Sequence, residues 1–354
     1  MSATKLETID KNFKVETTIQ KQDIRFCDAR ESVFRTYGVF WQDGMYRRMP
    51  EAAAQSINKG VYGLHTNTAG GRVRFVTDSP YVAIRTRFTP SHKPHFPLTG
   101  SSGFDLYTGT GEDCRYAGTF VPPVEVTDSY ESVLEFADKQ TRLVTINFPL
   151  YSDVQQLEIG LQQDALLQRA PDYRVETPVV YYGSSITQGA CASRPGNCYP
   201  SLLSRRLDCN YLNLGFSGSA KGEIAMGDYL KQLDMSVFVL DYDHNAPHLE
   251  KLQATHGRLF RQVREANPTL PIVILPRPRY YHRGQDAQRF EAIRQTYLQA
   301  KAQGDENVYF ITNRQLMEYV RDDGLVDNTH PTDSGFFNMA QALQPLLEQL
   351  LQNK

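Results

Sequence analysis

The stretch Tyr181-Tyr182-Gly183-Ser184-Ser185-Ile186-Thr187-Gln188-Gly189 decides how this chain is read. Before it runs Thr177-Pro178-Val179-Val180, a short β-branched segment that reads as a buried strand. After it come small and polar residues, then Tyr199-Pro200-Ser201-Leu202-Leu203-Ser204-Arg205-Arg206-Leu207, whose apolar spacing is helical. A serine between a strand and a helix presents its hydroxyl to solvent. Backbone N–H groups at such a turn can also bind a developing anion. A plain Gly/Ser turn accounts for the same residues, so the decision falls to the chain beyond residue 200.

There the pattern repeats. Apolar runs recur at residues 179–182, 211–214, 237–240, 272–275 and 308–311, with helical segments such as 249–266 and 287–302 between them. An amphipathic helix over 334–352 closes the chain. Strand and helix in alternation imply a parallel sheet with helices on both faces.

Residues 1–170 read differently, as mostly β. Arg72-Val73-Arg74-Phe75-Val76 and Val82-Ala83-Ile84-Arg85-Thr86-Arg87-Phe88 alternate charged and apolar side chains. With Thr77-Asp78-Ser79-Pro80 as the turn, they predict a half-buried antiparallel hairpin. Gly103-Phe104-Asp105-Leu106-Tyr107, 143–148 and 157–161 read as further strands, and 47–58 as a short helical passage. Frequent turns between short strands imply a β-sandwich. Two domains are therefore expected, 1–170 and 177–354, joined by a linker over 163–176; a length of 354 residues agrees.

Composition narrows the function. The 40 acidic and 38 basic residues leave a net charge of −2, which offers no field to steer a nucleic acid or a membrane surface. Neither is expected as a partner, and no apolar run approaches a spanning length. Met1-Ser2-Ala3-Thr4-Lys5-Leu6-Glu7 lacks the apolar core of a signal peptide, so the cytoplasm is expected for the chain as written, and the periplasm or exterior if a leader has been removed. The five cysteines form no disulfide framework and no C-x-x-C pair. Cys191 and Cys198 could bridge or stay free as small packing residues.

In an open parallel sheet, ligands bind beyond the carboxyl ends of the strands. The residues just past the first four expected strands are Ser184 and Ser185, then Gly215-Phe216-Ser217-Gly218-Ser219, then Asp241-Tyr242-Asp243-His244-Asn245, then Arg277-Pro278-Arg279-Tyr280-Tyr281-His282-Arg283; past the fifth, ahead of the last helix, comes Asp327-Asn328-Thr329-His330-Pro331. One edge thus collects the parts for serine acyl transfer. Asp327 and His330 stand three apart, so in a tight turn the carboxylate reaches Nδ1 and leaves Nε2 to take a proton from a serine. Thr332 or Asp333 would cap the last helix in the same turn. Asp243-His244 is a poor acid–base pair, because neighbours on an extended strand end point opposite ways. His65, His92, His95, His248 and His256 show no ligand-like spacing and read as surface or satisfied polar positions. Arg277, Arg279 and Tyr280 could form a wall that stacks and hydrogen-bonds a sugar; a solvated basic loop fits them equally.

The order G-S-S-I-T-Q-G, N-L-G-F-S-G, a strand ending in asparagine, then D-x-x-H resembles the SGNH (GDSL-type) hydrolase superfamily. Gly103-Phe104-Asp105-Leu106-Tyr107 is similar to the Gly-x-Asp-Leu-Tyr signature of the β-sandwich that precedes some members. The resemblance implies a flavodoxin-like three-layer α/β/α domain behind a jelly-roll-like sandwich. It implies Ser185 as nucleophile with His330 and Asp327, and an oxyanion hole from Ser185, Gly218 and Asn245. Two positions depart from the pattern: Ser184 replaces the aspartate of G-D-S, and Asp243-His244-Asn245 replaces Gly-x-Asn-Asp. Members with the leading sandwich resemble carbohydrate deacetylases. A small-molecule or oligosaccharide ester, most simply an acetyl ester, is therefore the expected substrate, with no metal or other cofactor. A lysophospholipid or thioester acyl hydrolase is the alternative, as is a carbohydrate-binding protein whose hydrolase domain is silent.

Overall fold

Strands buried on both faces must serve two cores, and the second half of the chain does so residue by residue. In the computed structural model, which describes residue 10, residues 14–16 and residues 18–352, Val179 and Tyr181 face one core while Val180 and Tyr182 face the other. Val237 and Val239 alternate with Phe238 and Leu240 in the same way. The amino-terminal heptapeptide read for a signal lies outside the described residues.

The first half holds strands β1 (Ile24–Asp28), β2 (Arg35–Tyr37), β3 (Phe40–Gln42), β4 (Met45–Arg47), β5 (Arg72–Thr77), β6 (Tyr81–Thr89), β7 (Phe104–Thr108), β8 (Arg115–Phe120), β9 (Ser129–Glu135), β10 (Arg142–Asn147), β11 (Asp153–Gln162) and β12 (Leu167–Arg169). The second holds β13 (Val175–Gly183), β14 (Cys209–Gly215), β15 (Val237–Asp241), β16 (Ile272–Ile274) and β17 (Val308–Phe310). These five form one parallel sheet in the order β14-β13-β15-β16-β17, the flavodoxin-like order whose switch point lies at its first strand. Helix Asp333–Leu351 covers one face with Phe336, Leu343 and Leu347. Helix Leu249–Ala266 covers the other with Leu252, Leu259, Phe260 and Val263, an i, i+7, i+8, i+11 stripe. Thr332 caps the last helix by accepting from Gly335 N–H at 3.3 Å. No helix among the described residues is long and apolar enough to cross a membrane.

The first half is an antiparallel sandwich. One sheet runs β1-β11-β6-β9; the other runs β12-β5-β10-β7-β8, with β2 also paired to β5. The expected hairpin of β5 and β6 does not form. The Thr77–Pro80 turn carries the chain from one sheet to the other, and β5 pairs with β10 while β6 pairs with β11 and β9. Two strands joined by a short turn satisfy the same alternation whether they share a sheet or face each other across a core. The charged face of β5 also avoids solvent. Arg72 and Arg74 are buried against the parallel-sheet domain, where Arg72 donates to Asn210 Oδ1 at 2.7 Å and lies 4.0 Å over the Tyr211 ring. The 163–176 stretch, read as a linker, carries β12, paired with β5, and the start of β13. Within the 47–58 passage the helix runs over Glu51–Ile57, Arg47 ends β4, and a second helix, Lys59–Leu64, follows beyond it.

Strand β7 explains the Gly-Phe-Asp-Leu-Tyr motif. Phe104 and Leu106 fill the sandwich core, while Asp105 and Tyr107 reach the other way, into the second domain. Asp105 accepts from Gly196 N–H at 2.8 Å and from Asn147 Nδ2 at 2.8 Å, with Arg194 at 3.4 Å. Tyr107 Oη accepts from Arg194, and the Arg205 guanidinium lies 3.9 Å over its ring. The motif is a docking face. Asp105→Ala would strand the Gly196 N–H and the Asn147 amide in a buried place, at a cost of roughly 2–3 kcal/mol. Urea unfolding of the full chain measures this; an unchanged midpoint and slope would remove Asp105 from the interface.

Candidate active site

The turn after β13 is tight because its glycine leaves no room for anything else. A β-carbon on Gly183 would sit 2.4 Å from the Asp241 carbonyl oxygen. Ser184 then caps the short helix Ser185–Gln188, accepting from Ile186 N–H at 3.1 Å. That occupies the hydroxyl next to Ser185 with local backbone. Ser185 takes the first helical position, where an N–H has no intrahelical partner, and its Oγ lies 2.8 Å from His330 Nε2. His330 Nδ1 lies 2.7 Å from Asp327 Oδ2.

The Asp327–His330 turn is held by its own backbone. Asp327 Oδ1 accepts from the N–H of Thr329 at 3.1 Å and of His330 at 2.8 Å. Burial pushes the Asp327 carboxyl up, but the His330 backbone and ring outweigh it and hold the group below the usual carboxylate range. Asn328, at φ +61°, makes the left-handed step between them, a conformation asparagine tolerates.

The structure brings Gly218 and Asn245 to the same edge. Gly218 has φ +67°, with nothing within 4 Å of where a β-carbon would point. Asn245 Nδ2 donates to the Phe216 carbonyl at 2.8 Å, so one amide hydrogen fixes the 216–218 loop and the other remains. Gln188 holds the same loop by accepting from Ser217 N–H at 3.0 Å. Its amide nitrogen donates to Asn67 Oδ1 at 3.1 Å and to the Leu150 carbonyl at 3.2 Å, both in the sandwich domain. Arg48, also from that domain, donates to the carbonyls of Gly215 at 2.7 Å and Asn213 at 3.1 Å, and lies 4.7 Å over the Phe216 ring. Burial pulls its guanidinium down to about 9.

The basic loop past β16, read from the sequence as either a sugar wall or a solvated basic stretch, is engaged in ion pairs. Arg277 bonds Asp243 at 3.0 Å and Asp286 at 2.8 Å. Arg289, from the following helix, bonds Asp243 at 2.8 Å. Arg279 bonds Asp286 at 2.9 Å and the Asn328 carbonyl, while Arg283 reaches the Asn328 side chain at 2.8 Å. The loop therefore clamps the turn that carries Asp327 and His330. Tyr280 is half-buried against the core of that face of the sheet. Two carboxylates on one strand end consequently part company. Burial lifts Asp241, which has only the Thr187 and Tyr199 hydroxyls as donors, to about 7. Burial also acts on Asp243, but Arg277 and then His244 and Arg289 take it down to about 2. His244, beside Arg277, is held neutral, pushed down to about 3 by burial and that charge.

Three residues at the site have no sequence signal. The His95 ring lies 5.8 Å from the His330 ring, and its Nε2 is 3.5 Å from Asp327 Oδ2. Phe96 lies 6.2 Å from His330 and 4.8 Å from the Tyr151 ring. Tyr151 Oη donates to the Ser185 carbonyl at 3.4 Å. His95 and Phe96 sit on a Pro-bounded loop with no periodicity, so only the docking of the domains shows their place. Cys191 and Cys198 are both free.

Two family models match this chain. The GDSL-like lipase/acylhydrolase family takes in residues 176–348, and the N-terminus of the Esterase_SGNH_hydro-type takes in residues 24–167. The chain belongs to the SGNH (GDSL-type) hydrolases with a GxDLY amino-terminal domain, and it is a carboxylic ester hydrolase. No curated protein matches it. Among solved structures, a Bacteroides ovatus protein described as a GDSL-like lipase shares 29% identity at a TM-score of 0.83, over 93% of this chain and 98% of that one. The salicylyl-acyltransferase SsfX3 of a tetracycline biosynthetic pathway shares 19% at 0.74, over 94% and 98%. A family two carbohydrate esterase from Cellvibrio japonicus shares 13% at 0.59, over 93% and 98%. At those last two identities the likeness is one of fold.

Proposed function

We propose that Ser185, His330 and Asp327 are the nucleophile, base and orienting acid of an esterase that removes acetyl groups from a carbohydrate. The observation that carries the assignment is the unbroken line from Ser185 Oγ through both nitrogens of one imidazole to a carboxylate, at 2.8 Å and 2.7 Å. His330 takes the Ser185 proton as Oγ attacks the ester carbonyl. The tetrahedral oxyanion is received by the N–H groups of Ser185 and Gly218 and by the remaining Asn245 amide hydrogen, donors worth about 2.7–4 kcal/mol each where such sites have been dissected. As the acyl C–O bond breaks, His330 gives the proton to the departing sugar oxygen, which leaves as a hydroxyl, then activates a water that releases acetate from the acyl-enzyme.

A short acyl group is supported by the enclosure of Ser185, 6% exposed beside Tyr151. A sugar leaving group is supported by the shared fold of family two carbohydrate esterases. The test compares release of acetyl and octanoyl groups from chromogenic esters and acetate release from acetylated oligosaccharides, with His330→Ala as control. Acetyl should be preferred, and acetate should appear only with the intact histidine. Preference for octanoyl, or no acetate from any saccharide, sinks this substrate class.

A further inference from the structure

Beside Ser185 lies a group of three donors, of which ester hydrolysis uses only His330. One donor atom each from His95, Cys191 and His330 lie within 4.8 Å of one another. They come from three separate parts of the chain: the sandwich loop, the turn after helix Ser185–Gln188, and the loop before the last helix. Cys191 is held there at φ +70°, a left-handed conformation that costs a residue with a β-carbon about 1–2 kcal/mol. Asp and Asn offset part of that cost with local hydrogen bonds; a cysteine does not. Strain of this kind persists where the surroundings over-determine it, and it gathers at ligand clamps and active sites. Here it sets a free, buried thiol, which makes no hydrogen bond among the described residues, within 4.8 Å of a nitrogen from each of two imidazoles.

Two imidazoles and a thiolate are a ligand set suited to zinc and its neighbours. Bonds of about 2.3 Å to sulfur and about 2.0–2.1 Å to nitrogen place the donors of a tetrahedral site roughly 3.5 Å apart. The widest gap here must therefore close by about 1.3 Å. His95 can supply that movement, since its side chain is 41% exposed. Charge also balances. Asp327 Oδ2 lies 3.5 Å from His95 Nε2 and 2.7 Å from His330 Nδ1, so thiolate and carboxylate together offset a doubly charged ion.

We propose that His95, Cys191 and His330 bind a zinc-class divalent cation and that its binding switches ester hydrolysis off. On binding, the S–H bond of Cys191 breaks, its proton leaves to solvent, and the sulfur pair forms the bond to the metal; nothing is oxidised or reduced. The switch rests on His330 as the base proposed above. Both its ring nitrogens are in use, so ligation at Nε2 blocks the Ser185 proton and ligation at Nδ1 breaks the bond to Asp327.

The test uses the full chain, with Zn²⁺ for activity and Co²⁺ for spectroscopy. Zn²⁺ should inhibit and a chelator restore activity. The Co²⁺ complex should show thiolate-to-cobalt charge-transfer absorption. Cys191→Ala should abolish that absorption. Cys191→Ala and His95→Ala should each raise the half-inhibiting Zn²⁺ concentration at least about tenfold, the lower end of what loss of a ligand's supporting partner alone costs. Equal inhibition of wild type and His95→Ala, or a cobalt complex without the absorption, overturns the site. His95 is exposed, so its variant decides the matter even if Cys191→Ala folds poorly. The absorption requires no turnover. It therefore separates failure of the metal site from failure of the Ser185 assignment, which an active Ser185→Ala enzyme would reveal.

Discussion

Ser185→Ala and His330→Ala are each expected to lower kcat by about 10⁶, and the double variant by no more than either alone. The reason lies in how the three groups depend on one another. Without His330 the Ser185 hydroxyl keeps its proton at neutral pH and is a weak nucleophile. Without Ser185 the imidazole has no hydroxyl to activate. Each loss thus removes the same step, and the second removal finds nothing left to lose. Residual turnover would come from the oxyanion donors and substrate binding, which persist when the nucleophile is gone. Initial rates on a chromogenic acetate ester, alongside thermal unfolding to show intact folding, measure both effects. Losses that multiply in the double variant would mean that the two side chains act in separate steps.

Asp243→Ala is expected to destabilise the fold by about 3–5 kcal/mol, the usual result of removing one partner from a buried charged pair. Asp243 is 1% exposed and bonded to Arg277 and Arg289, so its loss leaves two guanidinium groups short of their counter-ion. The effect has a pH window with a definite sign. A carboxyl depressed to about 2 in the folded state contributes stability that is fully present above its unfolded value near about 4. That contribution fades as pH falls from about 4 to about 2, because protonation of the unfolded chain comes first. Urea unfolding of wild type and Asp243→Asn should therefore show a gap at pH 7 that narrows below pH about 4. A gap independent of pH would mean that packing, not charge, is what the aspartate contributes. The substitution should also slow catalysis, since Arg277 and Arg279 share Asp286 and Arg279 holds the Asn328 carbonyl.

The parts of the molecule legible in the sequence are those where a local pattern has one physical solution. A run such as Val179–Val180–Tyr181–Tyr182 can be buried on both faces only in a covered sheet, and helix 249–266 begins and ends where its pattern does. Ser185 was findable because it stands just past a strand, where a parallel sheet gathers side chains, and Asp327 and His330 because their three-residue spacing precedes the last helix. Patterns with two solutions misled. The alternation in β5 is the same whether its arginines meet water or a second domain, and only the tyrosines of the partner surface, Tyr173 and Tyr211, decide it. The Arg277–Arg283 loop is similarly ambiguous. Its cations could meet a sugar or the acids Asp243, Asp286 and Asp322, and two of those acids, Asp243 and Asp322, lie far off in sequence. His95, Phe96 and Tyr151 carry no pattern at all.

The bonds that Arg48, Asn67 and Leu150 send beneath the 213–218 loop bear on how such a chain can be divided. Two domains are often pictured as beads, each complete, with a tether between. Here the carbonyls of Asn213 and Gly215 and the amide of Gln188 face donors and acceptors that only the sandwich supplies. Cut away from it, the hydrolase half would keep Ser185, His330 and Asp327 but lose the floor beneath the loop proposed to receive the oxyanion. The unit that can be shortened, transplanted or recombined without changing its chemistry is therefore the pair. A sandwich from a different member of the family would have to bring its own arginine to the same spot.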